Sequence, residues 1–471
     1  NIWKEEKYQQ LQGTYPVIYL SFADVKQDCY GDTVQKIRHI IGDTYRQHRY
    51  LLDALCFTEA EKHQFTKVMN CEMDDVTAQD ALKNLSYYLH HYWRKRTILL
   101  LDEYDTPMQE AYVHGYWNEF INFIRGLFNS ALKTNPYLER AVMTGITRVS
   151  KESVFSDLNN LNVITSTSQE YETSFGFTEE EVASLCEKYK MDGEEVKCWY
   201  DGYSFDKVPA VYSPRSVVSC MRFGKIGNYW NQTETFEALK IYIDMNFDGL
   251  REDVLSMMAG ESVPVNTGSF INDMATFRTE DDVLTLLIHL GYLAYDYENK
   301  TVRIPNNEIR GEYVNSVAVS EWGEVSTALK NSADTLNAIW QKRPLQVAEG
   351  IRQAHFETAH IQYNDENALS YTISLALYAA RNFYTVHREL AGGKGFADLV
   401  FVPRKKFQEK PALIVELKWD KSVRGAIEQI RQKEYFESLK EYQGNMLLVG
   451  INYNIRTKDH ECVIEELKKD K

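Results

Sequence analysis

Short apolar runs separated by long amphipathic stretches organise the first third of the chain. The run PVIYLSF (16–22) is apolar and β-branched and predicts a strand ending at Ala23-Asp24. A polar, helix-like stretch follows to about Lys95. TILLL (97–101) is apolar at every position and stops abruptly at Asp102-Glu103-Tyr104-Asp105. Such a run predicts a strand buried on both faces, as in a parallel sheet. Helical periodicity resumes over 107–133, and RAVMTGI (140–146) predicts a third strand. Strands alternating with long helical stretches imply an α/β sheet of parallel order. From Thr178 the texture changes. Thr178-Glu179-Glu180-Glu181 has the cap and acidic first turn of a helix, and helical segments dominate to about Ala348, broken by the aromatic turn WYDGYSF (199–205). The last part opens near Glu349. It predicts a helix over 367–382, strands over 396–402, 412–419 and 445–453, and a helix over 423–439 joining the last two strands.

Two strand ends carry chemistry. LLLDEYD (99–105) ends an apolar strand in acids, and open α/β sheets bind ligands at the carboxyl ends of their strands. Acids there suit Mg²⁺ carrying phosphates, with Asp102 holding the ion through water and Glu103 polarising an attacking water. A solvated acidic turn explains the same run. The companion phosphate cradle, G-x-x-x-x-G-K-[ST], does not occur: Gly392-Gly393-Lys394 and Arg222-Phe223-Gly224-Lys225 both lack its outer positions. The second strand end is GFADLVFV (395–402), which places Asp398 near the start of a strand. LIVELKW (413–419) follows, with Glu416 and Lys418 two apart and so on one face. A connection of about nine residues lets the two strands pair as a hairpin and brings Asp398 alongside Glu416. Two carboxylates and the Leu417 carbonyl suit Mg²⁺, and Lys418 suits positioning a water and offsetting transition-state charge in phosphodiester hydrolysis. A cross-strand charge pair is the plain alternative for the E-x-K alone.

The blocks LLLDEYDTP, TGITRVSKESVFSDLNNL (144–161), FGFTEEEV (175–182), WYDGYSF and VYSPRSV (211–217) resemble, in order, those of the bacterial AAA-ATPase-like family. The resemblance implies an α/β fold in three parts. Residues 1–175 form a P-loop NTPase-like parallel sheet, incomplete at its N-terminus. Residues 176–348 form a helical lid or middle domain. Residues 349–471 form an αβββαβ-type, restriction-endonuclease-like PD-(D/E)XK nuclease domain. It implies that Asn1, which is not a Met, lies inside the ATPase domain, with the P-loop outside this sequence. Carried over position by position, Asp102 and Glu103 match the Walker B acids, Thr144 a γ-phosphate sensor and Arg148 a charge sensor or arginine finger. A strand-end Thr and a surface Arg are the plain readings of the last two. In the nuclease part, Asp398, Glu416 and Lys418 match the core motif, Gln429 the polar residue on the following helix, and Glu366 the acid of the first helix. The implied cofactors are Mg²⁺ and ATP. The implied partner is DNA, with no membrane, and a homo-oligomer is compatible with the reading. The segment RIPNNE (303–308) also resembles a family block, without an assigned role.

Composition then narrows the field. The 471 residues are 44% hydrophobic and 26% charged, with Gly 24 and Pro 10, which excludes collagen-like and disordered classes. No apolar run approaches a membrane span. Seven scattered cysteines without CxxC imply reduced thiols in a cytoplasm. No HExxH and no G-x-S-x-G occur, which sets aside histidine-zinc and serine-elbow chemistry. The net charge of -15 argues against a protein coated in basic residues. Residues 403–440 nevertheless hold ten Lys+Arg against six Asp+Glu, a local +4 that leaves -19 elsewhere. Lys405, Lys406, Lys410, Lys421 and Arg424 there suit phosphate neutralisation, or else form a solvated basic loop. The favoured reading is an ATPase-coupled, Mg-dependent nuclease acting on DNA. The alternatives are a nucleic-acid binder that keeps the nuclease fold as a platform, and a switch ATPase that answers to a protein partner.

Overall fold

The computed structural model describes residues 5–467 apart from 134, 147–160, 167, 169, 206–207, 231–235, 246, 269, 271–276, 320–321, 359–371, 393–394, 435–438, 440–441, 443 and 458. Asn1–Glu170 with Val265–Gly291 form one compact unit, and Tyr171–Pro264 with Tyr292–Lys471 a second.

In the first unit, β1 (Val17–Ser21), β2 (Thr97–Asp102) and β3 (Leu138–Met143) form a parallel sheet in that order. The polar stretch between β1 and β2 is three helices, Tyr30–Gln47, Glu59–Met69 and Asp75–Trp93. Their starts are set locally: Thr58 and Glu61 form a capping box, and Asp74 accepts from the Thr77 N–H at 2.8 Å. The helix expected over 107–133 breaks near Gly115 into Thr106–Val113 and Trp117–Phe128, followed by a π turn at Asn129–Lys133. Ile37, Leu82, Leu85, Phe120 and Ile124 pack with Ile18, Leu99 and Leu101 in one core.

The sheet is not buried on both faces. Leu99 and Leu101 are buried, whereas Ile98 and Leu100 are half-buried and their sheet neighbours Val17, Tyr19 and Val142 are exposed by 42%, 54% and 48%. The core helices lie on the Leu99 side, so an all-apolar run has only one fully covered face here.

Among the described residues, the second unit holds three sheets. β4 (Phe177–Thr178), β5 (Tyr203–Phe205) and β6 (Val208–Tyr212) pair antiparallel in the order β4-β6-β5. β7 (Val263–Pro264), β8 (Ala294–Asp296) and β9 (Thr301–Arg303) pair antiparallel as β7-β9-β8. The stretch 176–348 is mainly helical, as expected, with these small sheets set among its helices; the capping box at Thr178 starts the helix Glu179–Tyr189. WYDGYSF is a packed corner against RIPNNE. Arg303 Nη2 donates to the Gly202 carbonyl at 2.8 Å, and Asn306 Nδ2 to the Asp201 carbonyl at 2.9 Å. Gly202 has φ +116°, and a Cβ there would lie 2.1 Å from the Pro305 oxygen, so only glycine fits. The role missing for RIPNNE is therefore structural. Its Glu308 is buried and accepts from Ser216 Oγ (2.7 Å) and from the Tyr229 and Trp230 N–H groups (2.6 and 3.0 Å). Burial pushes the Glu308 carboxyl up, and these donors oppose the shift.

The third sheet runs β10 (Tyr384–Gly392), β11 (Gly395–Pro403), β12 (Ala412–Trp419), β13 (Met446–Asn454) and β14 (Asp459–Leu467), in sequence order. Every neighbouring pair is antiparallel except β12–β13, which is parallel and joined by the helix Val423–Lys433. The three expected strands form within a residue or two at each end. The expected helix over 423–439 ends at Lys433, where Glu434 turns left-handed. Of the helix expected over 367–382, residues up to 371 lie outside the described residues, and the chain ends it with the 3-10 turn Tyr378–Asn382. One face of the sheet packs Leu399, Val415 and Leu417 against Ile339 and Ile351; the other packs Val400 and Ile414 against Ile427 and Ile430.

Beside β13, His460 is buried, and its Nε2 lies 3.2 Å from His355 Nδ1. Burial, then the nearby His355 and Arg352, push its pKa down to about 3. Below about pH 6.5 the unfolded chain takes up a proton that the folded His460 refuses, so stability falls on acidification. Urea unfolding between about pH 7 and pH 5 is expected to show a loss of about 2 kcal/mol from this group, absent in His460→Leu. An unchanged pH slope in the variant contradicts this assignment.

Candidate active site

β12 is the middle strand of the five, and the acids sit toward its C-terminal end. Ala412 and Ile414 face the helix Val423–Lys433, and the period of two carries Glu416 and Lys418 onto that same face, while Leu417 joins the opposite core. Glu416 is 1% exposed. A carboxylate that deep is costly unless its charge is met. Lys418 Nζ donates to Glu416 Oε1 at 2.8 Å, and Gln429 Nε2 donates to the same oxygen. Asp398 lies on β11, one step past the last ladder pair, Leu399 with Val415, which puts it beside Glu416. Its Oδ2 accepts from the Leu417 N–H at 2.7 Å. The N–H and C=O of one strand residue point to the same edge, so the Leu417 carbonyl turns toward Asp398 as well. Asp398, Glu416, Lys418 and Gln429 are thus drawn to one place. Two carboxylates and a peptide carbonyl are all hard oxygen donors, and this set fits Mg²⁺. Among the described residues no group of three or more His, Cys, Asp and Glu gathers for a metal, so the backbone carbonyl is needed to complete the set.

One contributor escaped the sequence reading. Gly450 on β13 stands opposite Glu416, and a Cβ on it would lie 2.9 Å from the Val423 oxygen and 3.1 Å from Ala426 Cβ. The absent side chain lets the helix approach closely enough for Gln429 to reach Glu416. A lone glycine inside the apolar run MLLVGIN is the signal that could have found it. Glu366 lies outside the described residues.

The basic residues divide by place. Lys421 and Arg424 follow β12 at the acid end and are exposed, whereas Lys405 and Lys406 follow β11, at the other end of the hairpin. Lys410 is not free for phosphate: its ammonium lies 4.0 Å from the centre of the Trp340 ring.

In the first unit, Asp102 ends β2. Thr144 Oγ1 donates to its Oδ1 at 2.6 Å and the Tyr19 hydroxyl to its Oδ2 at 3.3 Å. Thr144 also lies 3.5 Å from the Leu101 carbonyl, so it meets both the carboxylate and the backbone. Glu103 is left-handed (φ 50°) and accepts from Thr106 Oγ1 at 3.3 Å. Arg148 lies outside the described residues. The sequence places acids at the end of β2 and holds no G-x-x-x-x-G-K-[ST] loop, so the residues present do not by themselves fit ATP. All seven cysteines are free thiols. No helix among the described residues is long and apolar enough to cross a membrane.

Comparison with known proteins agrees with both ends of the chain. Residues 1–155 match a family model described as predicted AAA-ATPase, and residues 366–464 match one described as PD-(D/E)XK nuclease superfamily. An uncharacterized protein in the vnfD 5′ region of Azotobacter chroococcum mcd 1 is 30% identical over 144 residues, covering 30% of this chain and 28% of that protein. The chain therefore spans less than a third of that relative's length. No solved structure matches the chain. The resemblance read from LLLDEYDTP and from the Asp398 and Glu416-Leu417-Lys418 strands is shown: an AAA-ATPase-like region precedes a PD-(D/E)XK nuclease-superfamily domain. The mixed five-stranded sheet with its parallel β12–β13 crossover is consistent with the latter.

Lys418→Met leaves Glu416 buried without its cation and is expected to destabilise the chain by about 3–5 kcal/mol. The double variant Glu416→Met, Lys418→Met removes the charge as well and is expected to recover most of that loss. Chemical denaturation of the three proteins reads the difference; equal losses in the single and double variants contradict the pairing.

Proposed function

We propose that the C-terminal sheet is a Mg²⁺-dependent nuclease site that hydrolyses DNA phosphodiesters, with Asp398 and Glu416 as the metal-holding acids. The observation that carries this is the buried Glu416. It meets Lys418 and Gln429 on one oxygen and stands one strand from Asp398, at the mouth of a helix and two exposed basic residues. An isolated surface charge pair needs neither the burial nor the third donor.

The bound ion supplies charge to the phosphate and acidity to a water. The chain's own residues do the rest. Asp398 is held by the Leu417 N–H, which fixes its carboxylate beside Glu416. Gln429 holds Glu416 against rotation. Lys418 balances the buried carboxylate and presents an ammonium beside the attacked phosphate, where it orients the water and offsets negative charge developing on phosphorus-bound oxygen. Water attacks the phosphorus and gives up a proton to solvent, the P–O bond to the bridging oxygen breaks, and that oxygen takes a proton from solvent and leaves as the alcohol. Lys421 and Arg424 neutralise neighbouring backbone phosphates.

The AAA-ATPase-like region is read as a regulator of this site. Asp102, Glu103 and Thr144 are its proposed nucleotide-facing groups.

Asp398→Asn and Glu416→Gln are each expected to reduce Mg²⁺-dependent DNA cleavage by at least about a hundredfold, measured at a temperature where each variant is folded. Chelation with EDTA is expected to abolish cleavage. DNA binding without cleavage in the parent chain, with or without Mg²⁺, favours the platform reading and overturns this one.

A further inference from the structure

Three arginines from separate parts of the second unit converge away from the acids. Arg310 lies on the helix Asn307–Val319, Arg381 in the turn Tyr378–Asn382, and Arg404 directly follows β11. Arg404 Nη2 donates to the Arg381 carbonyl at 2.8 Å, and Arg381 Nη2 donates to the Ala259 carbonyl. The Nε of Arg310, the Nε of Arg404 and the Tyr378 hydroxyl are sealed from solvent and find no hydrogen-bond partner. The guanidinium groups press on one another. Arg310 feels Arg404 and Arg303, and Arg381 feels Arg310 and Arg404, with no carboxylate among the described residues acting on either. Burial and these neighbours push Arg381 down to about 9.

Three other arginines of this unit show what is missing. Arg388 meets Glu261, Arg352 meets Glu349 and Arg431 meets Glu465. A cluster of like charges with unmet donors is unfavourable as it stands. A tetrahedral oxyanion repairs both defects, because its several oxygens accept from guanidinium forks and a hydroxyl, and its charge cancels theirs.

We propose that Arg310, Arg381, Arg404 and Tyr378 bind a phosphate group, carried either by the free ion or by a nucleotide. Arg404 stands six residues beyond Asp398 on one extended segment, about 20 Å away, so this site is distinct from the acids and does not rest on the nuclease reading. Because its ligands come from three segments, a bound phosphate ties the helix Asn307–Val319 to the β10–β11 hairpin.

The test is thermal unfolding of the full chain in Mg²⁺-free buffer, titrated with inorganic phosphate, with ADP, and with chloride at matched ionic strength. A saturable rise in Tm with phosphate or ADP, beyond the chloride control, is expected, and the stronger of the two identifies the source. Arg310→Met is expected to raise Tm in anion-free buffer, by removing repulsion, and to weaken the anion response by at least about tenfold. Arg404→Gln provides the same reading if Arg310→Met does not fold. No rise beyond chloride, or an undiminished rise in the variants, overturns the proposal.

Discussion

The C-terminal half of this protein depends on one electrostatic constraint: a carboxylate placed in the middle strand of a sheet covered on both faces must be neutralised where it stands. Glu416 shares its face of the sheet with Ile414 on β12 and Leu448 on β13, positions that reward apolar side chains. Lys418 meets it from the same strand because the strand period is two, and Gln429 meets it from a helix whose approach Gly450 permits. Asp398 is held by the one peptide N–H between Glu416 and Lys418. Two donor side chains and one missing side chain thus answer a single buried charge. Such an arrangement costs stability that an apolar core would not, which points to chemistry as the reason for it.

The topology explains why these residues can be close. A hairpin brings β11 beside β12, and a right-sized helical crossover returns the chain to β13 on the other side. The acids therefore lie at one end of the sheet, and the long connection after β11 lies at the other. The basic residues that looked like one patch in the sequence are split by this geometry. Lys421 and Arg424 remain with the acids, Lys410 is taken up by Trp340, and Arg404 joins a separate cluster with Arg310 and Arg381.

Much of this was legible because the governing patterns are local. The period of two put Glu416 and Lys418 on one face, the β-branched runs located β1, β2, β11, β12 and β13, and Thr178 announced its helix through its own cap. What was not legible depends on tertiary partners. β10 and β14 carry charged residues along edges of the sheet, so HRELAG and DHECVIEEL do not read as strands by hydrophobicity. The exposed face of β1–β2–β3 could not be told from a covered one, since TILLL is apolar either way. Gly450 is silent until the helix it accommodates is in place. RIPNNE had no role until its asparagine and arginine were seen to hold the Asp201-Gly202 corner. In the AAA-ATPase-like region the same limit holds: Thr144 reaches Asp102 across two strands 42 residues apart in sequence, which no local pattern specifies.

The central claim is that Asp398, Glu416 and the Leu417 carbonyl form one metal site. Anomalous diffraction from crystals soaked in Mn²⁺, standing in for Mg²⁺, tests it most directly. The account predicts a single strong peak about 2.1 Å from an oxygen of each of the three groups, lost in Glu416→Gln. A peak elsewhere, or none while Lys418 and Gln429 stay on Glu416, would contradict it.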